Sequence, residues 1–162
     1  MVQIVPFLWF EKDAEEAVKL YVSLIPNSSM GAVTTMPADS PSGPEGSVQV
    51  VDFTLAGKPM QAMNAGPLDP FNHAVSLLVN CDNQQEIDRI WDGFLKAGGK
   101  PEECGWLRDR WGLAWQIVPK QLDEMMKSPD RAAGRRAAEA MLKMVKLDIA
   151  KLQQAFEGAK AT

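Results

Sequence analysis

A single histidine, a single tyrosine and two cysteines stand among 162 residues. With one histidine no Ser-His-Asp arrangement can be argued for the chain. Cys81 and Cys104 are too few for a disulfide framework and lack metal-type spacing, so the expected location is a reducing one, the cytoplasm. No apolar run approaches the roughly 18 residues needed to cross a bilayer. The apolar start Met1 to Phe10 has no basic leader and meets Glu11-Lys-Asp13 at once, which reads as a strand rather than a signal peptide. Basic excess is missing too: the net charge is -4, and no global field recruits nucleic acid. Finally, no two glycines are separated by one residue. A glycine-rich turn that lets backbone approach a nucleotide-type ligand is therefore absent.

What is present is an ordinary apolar share of 46% and five tryptophans, large pieces for a core or a pocket. The length suits one domain or two small halves sharing a core. Ile4 to Phe10 is a short apolar run that predicts a buried strand. Asp13 with Glu16 three residues on forms a capping-box pattern, followed by Ala17, Val18, Tyr21, Leu24 and Ile25 at helical spacing. Ser28 to Met36 predicts a weaker strand. Pro37 to Gly46 holds three Pro, two Gly and two Ser and predicts a mobile loop that covers a site. Ser47 to Ala56 and Pro59 to Asn64 predict strands joined through Gly57-Lys58. The order then returns: an apolar strand from Ala74 to Cys81, then a helix started by Asp82 and Gln85, carrying Ile87, Ile90, Trp91, Phe94 and Leu95 and ended by Gly98-Gly99. Tyr21 and Trp91, Leu24 and Phe94, Ile25 and Leu95 match at a constant offset, an internal repeat.

Trp106 to Pro119 predicts a hairpin, with arms at Trp106–Asp109 and Leu113–Val118 and a turn at Arg110 to Gly112. Alternation puts Leu113, Trp115 and Ile117 on one face and Ala114, Gln116 and Val118 on the other. Gln116 is the odd member, a neutral amide that needs partners or a wet cavity. Trp106 and Trp111 alternate with Arg108 and Arg110, which hairpin amphipathicity explains without nucleic acid. Glu102 and Glu103 precede Cys104, which reads as a structural thiol. After Pro119 the chain is helical: a short segment with Leu122, Met125 and Met126, a helix opened by Ser128-Pro129 and running to Met144, and a last one capped by Asp148 and running to Phe156. Seven Lys/Arg against three Asp/Glu between Lys127 and Lys151 describe a solvated helix face.

The two modules, with Pro6-Phe-Leu-Trp-Phe10 at the start, Phe71-Asn72 before the repeat, and Cys104-Gly-Trp-Leu107 then Trp115-Gln-Ile-Val-Pro119 near the end, resemble a known group. It is the PhnB-like, 3-demethylubiquinone 3-methyltransferase-like group of the glyoxalase, bleomycin-resistance and dioxygenase (vicinal oxygen chelate) superfamily. The resemblance implies an α+β fold in which two βαβββ modules form a cup-shaped mixed sheet, followed by C-terminal helices. The domain would span 1–120, its modules 1–66 and 72–119, and the helical extension 121–162. It further implies a homodimer and, in active members, a divalent metal held by His, Gln and Glu.

Carried over residue by residue, the metal pattern thins. The Glu expected four places after Gly112 is Gln116, the first-strand ligand falls on Pro6, and the second-module His falls on Ala74. His73 lies one residue earlier, which in a regular strand faces the other way; the fourth position is Gln61. Two neutral amides fall short of the donors a metal needs, so no cofactor is expected. Were a metal to bind, Gln61, His73 and Gln116 would hold it, His73 turned inward by a bulge. The resulting expectation is a small-molecule-binding homodimer whose pocket is lined by Leu8, Gln61, Ser76, Trp106 and Gln116, with Asn64 at the rim, and which takes a small organic, aromatic or amphipathic ligand. No nucleic acid and no membrane enter this expectation. The alternatives are a metal-dependent lyase, isomerase or dioxygenase, and a structural or regulatory dimer without ligand.

Overall fold

The computed structural model describes residues 1–158; the last four residues of the expected extension lie outside the described residues. The chain divides into two units, Met1–Pro70 and one from Phe71 onward. The first holds β1 (Phe7–Phe10), α1 (Ala14–Leu24), β2 (Ser29–Thr35), β3 (Gln49–Leu55) and β4 (Lys58–Asn64). The second holds β5 (Ser76–Cys81), α2 (Gln84–Lys96), β6 (Lys100–Pro101), β7 (Trp106–Arg108) and β8 (Ala114–Pro119), then α3 (Lys120–Lys127), α4 (Arg131–Met141) and α5 (Ile149–Glu157). The sheet orders are β1-β4-β3-β2 and β5-β8-β7-β6. In each, the first strand runs parallel to the last, and the other pairs are antiparallel. The internal repeat is thus a repeated α+β topology.

Each helix buries its stripe against its own sheet. Tyr21 and its counterpart Trp91 are buried, and Phe94 meets Trp115 with ring centroids 4.7 Å apart. Burying a side chain of this size contributes about 1.5–3 kcal/mol, so these contacts, not intrinsic propensity, fix the helices. α2 ends as its glycines require. Gly98 has φ +96, its N–H donates to Leu95 O, and the Gly99 N–H reaches back to Phe94 O at 2.9 Å, closing the last turn.

The helix starts differ from the expected ones. Asp13 is left-handed and makes no side-chain cap bond; the α1 N-terminus is met instead by Asn64, whose Oδ1 accepts from Ala14 N at 2.6 Å. α2 is capped by Asn83, which accepts from Glu86 N at 2.9 Å, one residue after Asp82. Asp82 gives its own N–H to Glu86 Oε2. α4 is capped by Asp130, which accepts from Ala133 N, and it ends at Met141 rather than Met144. Ser128 only turns the chain, accepting from Asp130 N. Asp148 caps α5 as expected.

The loop from Pro37 to Gly46 closes on itself. Ser40 and Gly43 exchange backbone bonds of 2.8 and 3.0 Å, and Asp39 Oδ1 accepts from Glu45 N. It lines neither of the two cavities described below.

The C-terminal helices are docked on the second unit. Leu122, Met125, Ala137, Leu147 and Leu152 form a buried cluster with the partly buried Met126, Met141 and Met144 packed on it. The segment before α5 is a strap. Cys104 N and Gly105 N donate to Met144 O and Val145 O at 2.8 Å each, and the Gln84 amide holds Leu147 O and Ile149 N. Lys146 reaches Asp88 and Asp92.

Candidate functional site

The hairpin β7–β8 is set by one buried carboxylate. Asp109, 3% exposed, accepts from Trp111 N and Leu113 N through Oδ1 and from Trp115 Nε1 through Oδ2, all at 3.0 Å. A side chain bonding the backbone two residues ahead is the Asx geometry that nucleates a turn. Here it also clamps Trp115 inward. With Trp115 and Ile117 buried on the α2 side, alternation turns Gln116 and Val118 to the opposite face. The register sets Trp106 across from Gln116 and Gln116 beside Leu78.

That open face carries the cavity the hairpin predicts. A half-open cavity of about 660 Å³ is lined by Leu78, Asn80, Trp106, Gln116 and Val118 on the sheet, with Leu122, Met126 and Met141 from the helices, and Cys104 and Glu124 among its walls. The volume lies within the usual range for small-molecule sites. Gln116 Nε2 donates to Ser76 Oγ at 2.9 Å, leaving the amide oxygen as an acceptor and the Ser76 hydroxyl as a donor. The sheet side of the cavity is mostly apolar with the neutral amides of Asn80 and Gln116, and Lys120, Asp123 and Glu124 bring charge from α3. Cys81 is apart from this face and buried, and burial pushes its thiol up to about 11, with Glu86 adding to the effect.

A charged group flanks Trp106. His73 Nε2 lies 2.7 Å from Glu102 Oε2, and Arg108 Nε donates to Glu102 Oε1 at 2.7 Å. Burial alone would raise the Glu102 pKa, but the bonds from His73 and Arg108 outweigh it and hold the carboxyl below its ordinary value. The imidazole ring is 6.0 Å from Trp106, tilted by 51°. The strand-parity expectation for His73 and Ala74 does not apply, because β5 starts at Ser76 and both residues lie in a turn. No bulge is involved. Glu102 is thereby committed to His73 and Arg108, and Arg110 stacks over Trp111 at 4.6 Å. In the aromatic-basic alternation, Arg108 is thus held through Nε by Glu102 and Arg110 by the Trp111 ring.

The first unit separates its expected pocket residues. Parallel register pairs Phe7 with Gln61 and Leu8 with Ala62, and paired residues point to the same side. Leu8, Ala62 and Val51 are buried on the side where α1 packs. Leu8 is therefore part of the first unit's core. Asn64 shares that parity and caps α1 while its Nδ2 donates to Gln49. Gln61 faces the other way, donating to Asp52 Oδ1 at 2.7 Å beside a cavity of about 350 Å³ lined by Gln3, Asp52 and Thr54 among others. Of the six expected residues, Ser76, Trp106 and Gln116 come together in the second unit. Asp109, Glu102 and Arg108 were missed; the Asp109–Trp111 spacing was the only local signal for any of them.

As a seat for a divalent ion the donors do not fit. Gln116 brings a neutral oxygen, Ser76 is engaged with it, His73 Nε2 is engaged with Glu102, and Gln61 is engaged with Asp52. Among the described residues no group of three or more His, Cys, Asp or Glu is placed to hold a metal. Hard and borderline cations want anionic or imidazole donors converging on one point.

Comparison with known proteins places this geometry. A PhnB protein from Bacillus cereus is 29% identical, covering 73% of this chain and 99% of its own, with a TM-score of 0.62. The fosfomycin resistance protein FosX from Listeria monocytogenes shares the fold at 14% identity, covering 78% of this chain and 98% of its own, TM-score 0.55. A variant of FosX complexed with Mn(II) and 1S,2S-dihydroxypropylphosphonic acid superposes at TM-score 0.56 and 12% identity, covering 78% and 100%. Among curated proteins there is no match. Among the described residues no helix is long and apolar enough to cross a membrane. The model of the 3-demethylubiquinone-9 3-methyltransferase family matches residues 2–118, ending just before α3. With this match over most of its length and its PhnB relative, the chain belongs to that family.

Proposed function

We propose that this protein binds a small organic molecule, with an aromatic portion, in the cavity on the open face of the second sheet. The single observation that carries this is the 660 Å³ cavity itself, which joins the Trp106 ring and apolar walls to Gln116, whose amide is held from behind the lining by Ser76. An amide acceptor beside a hydroxyl donor suits a carbonyl, hydroxyl or amide edge. Leu78, Val118, Met126 and Met141 suit the apolar body, with methionine able to adapt to its shape. Helices α3 and α4 lie beyond the part matched by the family and close one side, so the ligand is selected partly by the extension. The reading includes a homodimer, supported by the exposed apolar residues Phe7, Val33 and Met36 of the first unit.

Chemistry routed through a metal has no support from the donor set, and methyl transfer from a nucleotide-type donor has none from the glycine-free Glu11-Lys-Asp13 turn after β1. Thermal-shift screening against aromatic metabolites and antibiotics tests the reading. At 100 times Kd a ligand selective for the native state adds about 2.7 kcal/mol, roughly 5–10 °C for a chain of this size. The shift is expected in the natural protein and not in Gln116→Leu. Silence across a broad library favours a structural dimer without ligand.

A further inference from the structure

Beside the cavity, sharing Trp106 as its wall, stands a group of side chains that binding alone does not use. Glu102 is gripped on both oxygens, by His73 and by Arg108. A carboxylate accepting at Nε2 keeps the imidazole proton there and leaves Nδ1 as a bare lone pair. The ring is half exposed, and its centroid lies 6.0 Å from that of Trp106, which lines the cavity. Arg108 and Trp106 alternate on β7 with buried Leu107 and so share the open face. Arg108 binds Glu102 through Nε, and among the described residues its Nη1 and Nη2 make no further bond. A base, a carboxylate that orients it, a cation with two free donors and an aromatic platform therefore converge within one unit.

We infer that His73 and Glu102 form a proton-transfer dyad acting on planar 2-oxo acids, with Arg108 holding the carboxylate or developing oxyanion. The inference rests on the binding reading above for the presence of a ligand against Trp106. In the step, the C–H bond next to the ligand's carbonyl breaks and its proton passes to His73 Nδ1. The electron pair becomes the carbon–carbon double bond of an enolate, and the charge on oxygen meets the Arg108 guanidinium. Imidazolium formed this way is stabilised by Glu102, and returning the proton to carbon regenerates the neutral ring. Nothing is oxidised and no co-reactant is consumed. His73 is the catalytic residue; Glu102 is a positioning residue acting through it.

Phenylpyruvate is the probe, since it combines an aromatic ring, an enolisable carbon and a carboxylate. In D2O, after treatment with a chelator, the protein is expected to catalyse saturable exchange of the C3 protons, read by NMR above the buffer rate. His73→Ala should lower that rate on the order of 100-fold or more, within the usual range for a positioned base, while saturation-transfer contacts to the phenyl ring persist. Glu102→Gln should lower kcat and leave KM nearly unchanged, a split that a purely structural role would not give. Because the chain has one histidine, a 15N-correlated spectrum reports its tautomer directly: Nε2–H in the natural protein, mixed in Glu102→Gln. Phenylpyruvate contacts at Trp106 with no exchange above buffer, or exchange unchanged in His73→Ala, overturns the dyad and leaves the binding reading standing. No contact of phenylpyruvate with the protein also overturns the dyad's assignment to 2-oxo acids, and a silent ligand screen alongside it would overturn both.

Discussion

Replacing Asp109 by alanine is the sharpest test of how the open face is built. The change removes two acceptors and strands three donors: Trp111 N, Leu113 N and Trp115 Nε1. Each buried donor left without a partner costs about 1–3 kcal/mol, and bonds to a charged acceptor lie at the upper end. Some relaxation toward solvent at the turn lowers the sum, so about 3–5 kcal/mol is expected. With an m-value of about 2 kcal/mol/M, the urea midpoint should fall by roughly 1.5–2.5 M. Asp109→Asn keeps an oxygen for the two backbone donors but sets an amide N–H against the indole N–H, so about 1–3 kcal/mol should be lost. Adding Trp115→Phe to Asp109→Asn removes the opposed indole donor and should recover part of that loss in a double-mutant cycle. Unfolding followed by tryptophan fluorescence, with amide exchange at Trp111 and Leu113, reads all of these. A loss below about 1 kcal/mol for Asp109→Ala would refute the clamp.

Gly105→Ala should destabilise the second unit by about 1–3 kcal/mol, because φ is +82 and a Cβ would meet Leu147 Cδ1 at 2.9 Å and Ile117 O at 3.0 Å. Faster proteolysis of the strap before α5 checks it. At pH 8 a bulky thiol reagent should modify Cys104, which lines the cavity, and spare Cys81 until the protein unfolds, since a thiol with pKa near 11 is ionised there only about one part in a thousand. Because the folded pKa of Cys81 is raised, the stability it contributes is full below about 9 and falls as pH rises toward 11; denaturant midpoints measured across that window check the sign. Glu102 gives the opposite dependence. Its carboxyl is held below the ordinary range, so its contribution is present above that range and is lost as pH falls through the depressed value, a loss that Glu102→Gln should abolish.

Period and punctuation carried most of the fold. The offset shared by Tyr21–Trp91 and Leu24–Phe94 announced the repeat, and the alternation of Trp115 with Gln116 correctly turned the amide away from the core. What failed were one-residue decisions. β1 is only four residues long, so no pattern within it fixes parity, and the burial of Leu8 comes from its pairing with Ala62. Helix starts slipped where two cap-forming residues adjoin, as at Asp82-Asn83, because local chemistry permits either. Asn64 displaced Asp13 as the α1 cap from fifty residues away. His73 was judged by strand parity although its segment is a turn. The His73–Glu102–Arg108 group joins three separate positions and had no local signature at all.

A ligand lodged between the second sheet and the extension would be seen most directly through the nine methionines. In a methyl-correlated spectrum of 13C-methyl-methionine protein titrated with a ligand found by thermal shift, Met126 and Met141 should move saturably while Met60, buried in the first unit, stays still. Movement confined to other methionines, with Met126 and Met141 unperturbed at saturation, would contradict that position.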